Sequence, residues 1–321
     1  MKKLTGTIDF VRLFLTSVLA LGSVHAFALG PNLLSQAAMI VDARSGESIY
    51  AKNANTVTPI ASITKLMTAM IVLDAHQNLD QTLMVDIEDL DYLKASRSRL
   101  SIGSELSRRE MLQLALMSSE NRAASTLGRF YPGGLAAAVA AMNAKAKSLG
   151  MVNTRYVDTS GLSPENVSTA RDLVTLVQAA QTYPLIRQYS TQSDQYVQIP
   201  ATGQTLHYNN SNALVKSDGW SISLQKTGFI REAGRCVVMM AQIAQRPVVL
   251  ILLDSVGKFS RLGDAQRVKT WMETGEILAI PKPQAIAKKG AKGAKGAKGA
   301  KGFKGAKGSR GKIAIVKKRR R

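Results

Sequence analysis

The chain has 321 residues, 45% of them hydrophobic, and a formal net charge of +21. Residues 281–321 hold twelve Lys and four Arg with no Asp or Glu, so they carry +16 of that charge. The excess charge therefore belongs to a C-terminal appendage, and it does not indicate that the rest of the chain binds nucleic acid. Cys236 is the only cysteine, which excludes an intramolecular disulfide, and its apolar surroundings predict a small buried hydrophobe rather than a nucleophile.

The N-terminus has the layout of a secretory signal peptide. Three cations among the first twelve residues accompany an apolar stretch over residues 11–24, and small residues follow at 26–28 (AFA). The stretch is shorter than the ~20 apolar residues that a membrane-spanning helix needs. We therefore predict a signal peptide over residues 1–28, cleaved after Ala28 or two residues earlier, and an exported protein.

Hydrophobic periodicity predicts the elements of the remaining chain in order. Alternating runs at 37–41 and 47–51 predict a hairpin, and helical spacing begins at Ser62. Further helices are predicted at 109–117, 123–130, 135–149 and 169–181. A second hairpin is predicted at 196–199 and 205–208, followed by strands at 221–230, 235–244 and 247–254 and a closing helix at 266–277.

This order of elements predicts the fold class. Strands at both ends of the chain with helices between them indicate an α/β (α+β) fold, in which one antiparallel sheet is built from both chain ends. Helices would flank the sheet and form an inserted helical lobe. Residues 29–280 are long enough for one domain or for two lobes, and the boundary between the lobes is where we expect a cleft.

One of three S-x-x-K sequences stands in a helical context. Residues three apart share a face of a helix but point to opposite faces of a strand. Ser62 opens an apolar helical segment, so its hydroxyl can meet the Lys65 amine. Ser223 lies in a predicted strand, and Ser255 follows a strand end, so neither is expected to meet the lysine three residues later.

Ser62 and Lys65 have the chemistry of a nucleophile and its base. A serine hydroxyl needs a base within hydrogen-bond reach, and Lys65 can act as one only if burial and a nearby cation lower its pKa. The sequence Ser119-Glu120-Asn121 supplies two further polar groups. We expect Ser119 to relay a proton to the leaving nitrogen, and Asn121 to hydrogen-bond Lys65 or the substrate amide.

The sequence Lys226-Thr227-Gly228 lies in the first of the three C-terminal strands. Lys226 would be the second cation and, with Thr227, would grip a carboxylate, while Gly228 would let a substrate backbone approach closely. We expect the backbone N–H of Ser62 and that of Phe229 to form an oxyanion hole. Each motif alone is weak, but the three in this order, each in the required context, indicate a serine acyl-transfer enzyme.

Other chemistries have little support in the sequence. A Ser-His-Asp enzyme would need His76 or His207, the two histidines outside the predicted signal peptide, and no G-x-S-x-G elbow is present. Neither H-E-x-x-H nor any cluster of Cys and His occurs, so we expect no metal and no cofactor. An enzyme of this type that used an acid for deacylation would need a glutamate near these motifs, and we expect Glu120 and Glu165 to be surface residues instead.

The motifs together resemble the low-molecular-mass penicillin-binding proteins. The matching segments are residues 50–54 (YAKNA), 59–69 (PIASITKLMTA), 119–121 (SEN), 161–162 (GL), 168–172 (STARD) and 226–229 (KTGF). Over about residues 35 to 275, the chain is most similar to the D-alanyl-D-alanine endopeptidases of the penicillin-binding protein 7 type, a branch of the serine D,D-peptidases.

The resemblance implies the fold shared with serine beta-lactamases, a periplasmic location, peptidoglycan peptides as substrates and beta-lactams as inhibitors. Ser62 would then be acylated, and Lys226 with Thr227 would hold the carboxylate of the peptide or the beta-lactam. The core ends near residue 280 without the second, beta-rich domain that is usual in the carboxypeptidase branch. This favours an endopeptidase that cuts D-alanyl to diaminopimelyl cross-links. Two alternatives stay open: a D-alanyl-D-alanine carboxypeptidase, and a catalytically vestigial envelope-binding protein.

The C-terminal segment has a repeat of its own. Glycine falls at every third position from 290 to 311, and Lys recurs at every third position from 289 to 307. No proline lies inside the repeat, which argues against a collagen triple helix, and its one-sign charge predicts a disordered basic tail over residues 281–321. On an exported protein, such a tail is expected to adsorb to anionic envelope polymers or lipid head groups, or else to remain a solvated extension.

Overall fold

The computed structural model describes residues 30–200, 202–257 and 259–281. The predicted signal peptide, the basic tail after Pro281 and Lys258 of the third S-x-x-K sequence lie outside the described residues. None of the helices that are described is both long enough and apolar enough to cross a bilayer.

Each predicted element is present in the predicted order, with further short elements between them. The strands are β1 (Ser35–Asp42), β2 (Ser48–Lys52), β3 (Thr58–Pro59), β4 (Thr82–Met84), β5 (Glu105–Ser107), β6 (Val167–Ser168), β7 (Asp194–Ile199), β8 (Gln204–Asn209), β9 (Ser221–Ile230), β10 (Gly234–Ile243) and β11 (Arg246–Ser255). The helices are α1 (Thr64–Asp74), α2 (Arg108–Met117), α3 (Asn121–Arg129), α4 (Gly134–Ser148), α5 (Ala170–Gln181), α6 (Pro184–Thr191) and α7 (Ser260–Thr274).

One antiparallel sheet joins the two ends of the folded chain, as predicted. Its strand order is β2-β1-β11-β10-β9, so the N-terminal hairpin pairs with the last strand. Strand β9 lies at one edge of this sheet and carries Lys226, Thr227 and Gly228. The chain between β2 and β9 forms the inserted helical lobe, and the described C-terminal part returns to the sheet.

Alternation along β11 shows how the sheet is covered on both faces. Val249, Ile251 and Leu253 belong to the large core shared with the helical lobe. Val248, Leu250 and Leu252 belong to a second core that includes Trp271 and Val268 of α7. A strand buried on both faces reads as a continuous apolar run, which is why 247–254 was recognisable in the sequence.

The sequence patterns missed several smaller elements. Helix α6 begins with Pro184 at its first position, a placement that favours helix starts, but its eight residues show no long periodicity. Helix α7 begins at Ser260, six residues before the predicted start, and ends at Thr274 rather than at 277. The short pairs β3–β6 and β4–β5 have only two or three residues per strand, too few for alternation to be visible.

Candidate active site

Ser62 lies in a tight turn that leads directly into α1. The turn is a 3-10 helix over Ala61–Ile63, and α1 follows at Thr64. Ala61 has a φ of 48°, in the left-handed region that costs a residue with a side chain about 1 to 2 kcal/mol. Strain of this kind persists only where surrounding structure holds it, and it concentrates at functional sites.

Two glycines from distant parts of the chain pack against this turn. A Cβ at Gly161, whose φ is 82°, would lie 2.0 Å from the carbonyl oxygen of Ala61. A Cβ at Gly228 would lie 2.9 Å from the carbonyl oxygen of Ile60 and 3.2 Å from the backbone nitrogen of Ser62. Both positions therefore require glycine, and together they clamp the peptide that carries Ser62.

Lys65 projects from the first turn of α1 and is only 1% exposed. Its Nζ lies 2.9 Å from Ser62 Oγ, 2.7 Å from Asn121 Oδ1 and 2.5 Å from the backbone oxygen of Ser160. The structure therefore brings together the serine, lysine and asparagine of the first two motifs. The Nδ2 of Asn121 donates to Ser96 Oγ at 2.9 Å, which fixes the orientation of its amide.

Burial lowers the pKa of Lys65 to about 7, because removing the amine from water disfavours its charged form. The carboxylates of Asp158, Glu120 and Asp91 act in the opposite direction. A neighbouring cation was expected to contribute to this lowering, but burial is the one cause that lowers the pKa of Lys65. An amine with this pKa is available as a base near neutral pH.

Ser119 and Lys226 form a second hydrogen-bonded group. Lys226 is fully buried, and its Nζ donates to Ser119 Oγ at 2.8 Å and to the backbone oxygen of Thr227 at 2.9 Å. Burial is also the main reason that the pKa of Lys226 is lowered, and the positive charges of Lys65 and Arg261 add to it. Ser119 has a φ of 65°, in the left-handed region, as does Ala61 next to Ser62.

Thr227 and Arg261 complete this side of the site. The hydroxyl of Thr227 donates to Ser211 Oγ at 2.7 Å. Arg261, at the start of α7, donates from Nη1 to the backbone oxygen of Gly228 at 3.3 Å, and its buried Nε has no hydrogen-bond partner among the described residues. The positive charge of Arg261 acts on Lys226 and adds to the positive potential on this side of the site, which favours an anion there.

A loop after α4, residues 158–163, holds the other side of Lys65. The carboxylate of Asp158 accepts hydrogen bonds from the backbone nitrogens of Ser160, Gly161 and Ser163 at 2.7, 2.5 and 2.8 Å. These bonds fix the carbonyl that accepts from Lys65 and the glycine that packs on Ala61. Neither Asp158 nor Arg261 was predicted as a site residue, because no local motif marks a residue that acts through a contact distant in sequence.

A cavity of about 590 Å³ opens beside Ser62. Its lining includes Ser62, Asn121 and Leu162, together with the segments 92–96 and 229–232. The side chain of Phe229 lies on this wall, 52% exposed, with the guanidinium of Arg235 over its ring at 4.5 Å. Gly228 packs closely against the backbone nitrogen of Ser62. Phe229, the next residue, therefore lies near the nucleophile.

Several other sequence expectations can be compared with the structure. Cys236 is buried, as predicted, and burial raises the pKa of its thiol to about 12. Glu165 is exposed, as predicted, and it pairs with Arg155. The prediction for Glu120 was wrong: its side chain is buried at 8% exposure and accepts a hydrogen bond from the backbone nitrogen of Arg122 at the start of α3. Within residues 30–200, 202–257 and 259–281, no group of His, Cys, Asp and Glu is arranged to hold a metal.

Comparison with known proteins places the chain among serine peptidases. A D-alanyl-D-alanine endopeptidase of Escherichia coli (strain K12) is 50% identical over 259 residues, 81% of this chain and 84% of that protein. One of Pseudomonas aeruginosa is 49% identical over 79% of this chain and 82% of that protein. Among solved structures, the Streptomyces K15 DD-transpeptidase matches with a TM-score of 0.70 and 26% identity, over 76% of this chain and 98% of that one.

The family assignment follows from the same comparison. Residues 25–257 match the peptidase S11 family, described as D-alanyl-D-alanine carboxypeptidase. The matched region contains every motif of the proposed site, and the solved relatives share its mixed architecture of antiparallel sheet and helices. The chain therefore belongs to the S11 family of serine D-alanyl-D-alanine peptidases.

Proposed function

We propose that the chain is a serine D-alanyl-D-alanine endopeptidase that hydrolyses peptidoglycan cross-links through an acyl-enzyme on Ser62. The observation that carries the proposal is the 2.9 Å contact between the buried amine of Lys65 and the hydroxyl of Ser62. Neutral Lys65 accepts the proton of Ser62 while Oγ attacks the carbonyl carbon of the scissile D-alanine. The catalytic domain would span residues 29–280.

The remaining residues serve the two ends of the scissile bond. The backbone N–H groups of Ser62 and Phe229 would stabilise the oxyanion, and Ser119 would pass the proton to the leaving nitrogen, so that the C–N bond breaks. Lys226, Thr227 and Arg261 would hold the carboxylate of the leaving group. Water then attacks the acyl-enzyme with Lys65 again as base, which releases the peptide acid and restores Ser62.

Two further supports concern the type of cleavage and the place of action. The relatives from Escherichia coli and Pseudomonas aeruginosa described above are both named endopeptidases, which favours cleavage of cross-links over removal of terminal D-alanine. The carboxypeptidase alternative shares the same acyl-enzyme and differs only in the leaving group. The proposed signal peptide over residues 1–28 would deliver the enzyme to the periplasm, where these substrates lie.

The direct test is digestion of purified cross-linked muropeptides. We expect dimers to be converted to monomers without release of free D-alanine, because the cross-link and not the terminal residue is cut. Ser62→Ala should abolish the conversion, since no other residue supplies the nucleophile. Ser223→Ala is a matched control, because this serine also precedes a lysine by three residues but lies on strand β9.

Labelling by a fluorescent penicillin separates the possible outcomes of that digestion. Labelling of the parent protein that is lost in Ser62→Ala but retained in Ser223→Ala supports the acyl-enzyme. Release of free D-alanine from monomers by a labelled protein would favour the carboxypeptidase. Absence of labelling in well-folded protein would contradict the proposal and favour the catalytically vestigial alternative.

The acylation rate should depend on pH through Lys65. The base must be neutral, and the neutral fraction rises as pH increases through the pKa of about 7. We therefore expect the second-order rate constant with benzylpenicillin to fall roughly tenfold for each pH unit below 7 and to level off above it. A rate that stays constant down to pH 5.5 in stopped-flow measurements would contradict the role of Lys65 as base.

Gly161→Ala should impair both folding and acylation. The new Cβ would collide with the carbonyl of Ala61, so the turn that carries Ser62 must shift, and displacements of about 1 Å can lower rates about a hundredfold. Gly150→Ala is the matched control, because Gly150 has a similar φ of 75° but open space around its Cβ position. The control should lose only about 1 to 2 kcal/mol of unfolding free energy and keep its acylation rate. Equal rates in the two variants would contradict the clamp.

The basic tail is proposed to adsorb to anionic envelope polymers or lipid head groups. The tail has sixteen cationic residues and no acidic residue. Near an anionic surface, each cation contributes roughly 1 kcal/mol of binding free energy before salt screening. No nucleic acid is proposed as a partner of the folded core.

Deletion of residues 282–321 tests this role of the tail. We expect the full chain to be retained on isolated envelopes at low salt and released as salt rises, and the truncated chain to be released throughout. Vesicles with and without anionic lipids, compared with lipid-free cell-wall sacculi, would identify the surface. Equal retention of both proteins would overturn the proposal.

A further inference from the structure

An ion pair bridges the two walls of the cavity beside Ser62. Lys94 Nζ lies 2.6 Å from Glu232 Oε1, although 138 positions separate the two residues in the sequence. Lys94 belongs to the loop before β5, and Glu232 lies in the turn between β9 and β10. Both residues line the cavity that contains Ser62.

This pair is not needed to hold either wall. The carboxylate of Asp91 accepts from the backbone nitrogens of Leu93, Lys94 and Ser96 at 2.9, 2.8 and 2.8 Å, so the loop is fixed from within. The turn that carries Glu232 is fixed by the pairing of β9 with β10. The side chains of Lys94 and Glu232 are 25% and 42% exposed, and ion pairs that water reaches contribute little to stability. The two charges can therefore separate without loss of the fold.

The direction of β9 indicates which part of a substrate meets this pair. Along the strand, Lys226 lies beside Ser119, Gly228 lies against Ser62, and Phe229 leads towards Glu232. When a leaving group holds its carboxylate near Lys226, the residues before the scissile D-alanine must extend the other way. They enter the cavity, where the edge of β9 can pair with an extended peptide.

The walls of the cavity have an apolar part and a charged end. Tyr92, Leu93 and Phe229 are 75%, 67% and 52% exposed, and all three line the cavity. The same cavity is lined by Lys94 and Glu232, whose charged groups are in contact, and by Arg231 next to Glu232. The ammonium of Lys94 lowers the pKa of Glu232, so the carboxylate is charged at neutral pH. This arrangement matches an aliphatic side chain that ends in both a carboxylate and an ammonium.

We propose that Lys94 and Glu232 determine specificity for the residue that precedes the scissile D-alanine, which would carry a zwitterionic side chain such as that of diaminopimelate. On binding, the pair opens, Lys94 takes the carboxylate of that side chain and Glu232 takes its ammonium. This inference rests on the proposed function, since it uses the orientation of a peptide acylating Ser62. The exchange leaves no charge unpaired, because the incoming side chain carries one charge of each sign.

The test compares two synthetic cross-linked peptides that differ only at this residue. One carries diaminopimelate and the other carries lysine, which has the same aliphatic chain and ammonium but no terminal carboxylate. We expect kcat/KM of the parent enzyme to be about tenfold higher for the diaminopimelyl peptide, the scale of one charge-assisted contact.

Two variants should respond differently. Lys94→Gln should slow only the diaminopimelyl peptide and bring the ratio of the two kcat/KM values close to one. Glu232→Gln should slow both peptides, because both carry the ammonium. Lys269→Gln is the matched control, since Lys269 makes a 2.6 Å ion pair with Glu273 on α7 and should leave the ratio unchanged.

Benzylpenicillin acylation of each variant measures general damage to the site, and the peptide ratios are normalised to it. Equal rates of the parent enzyme on both peptides would overturn the inference, as would a Lys94→Gln variant that slows both peptides alike. A parent enzyme that penicillin does not acylate and that cleaves neither peptide would instead overturn the proposed function.

Discussion

The contact between the buried amine of Lys65 and the hydroxyl of Ser62 is the interaction on which the rest of the site depends. An ammonium in this position would lack the water that normally stabilises it, and the pKa of Lys65 falls to about 7 as a result. The fold maintains this burial with elements from across the chain: Asn121 on α3, the loop held by Asp158, and Gly161 against the turn of Ser62. Loss of any one would admit water or displace an acceptor.

The sequence predicted the parts of this site that depend on local geometry. Ser62 and Lys65 meet because residues three apart share a helical face, and the contrast with Ser223 follows from the same rule. The contact between Ser119 and Lys226 joins residues 107 positions apart. Its prediction therefore depended on considering the separate motifs together. The sheet was predictable because strands such as β11 are continuously apolar.

Features without a local pattern were not predictable. Arg261 stands on a helix whose start was placed six residues too late, and only the folded structure brings its guanidinium to Gly228. The burial of Glu120 was missed for a similar reason: a glutamate in a polar motif reads as exposed, yet it caps α3 inside the lobe. The pairing of Lys94 with Glu232 also requires that both walls of the cavity be in place.

The two buried lysines connect substrate binding with activation of the nucleophile. Burial lowers the pKa of both amines, and the positive charge of Lys65 lowers the pKa of Lys226 further, so a charged Lys65 opposes protonation of Lys226. In the proposed mechanism, an anionic leaving group at Lys226, Thr227 and Arg261 stabilises the ammonium of Lys226. Lys226 then carries the positive charge, and Lys65 is favoured in the neutral form that can accept the proton of Ser62. Binding of the carboxylate at Lys226 therefore favours the neutral form of Lys65. In this way, the group that binds the leaving group influences the group that activates Ser62.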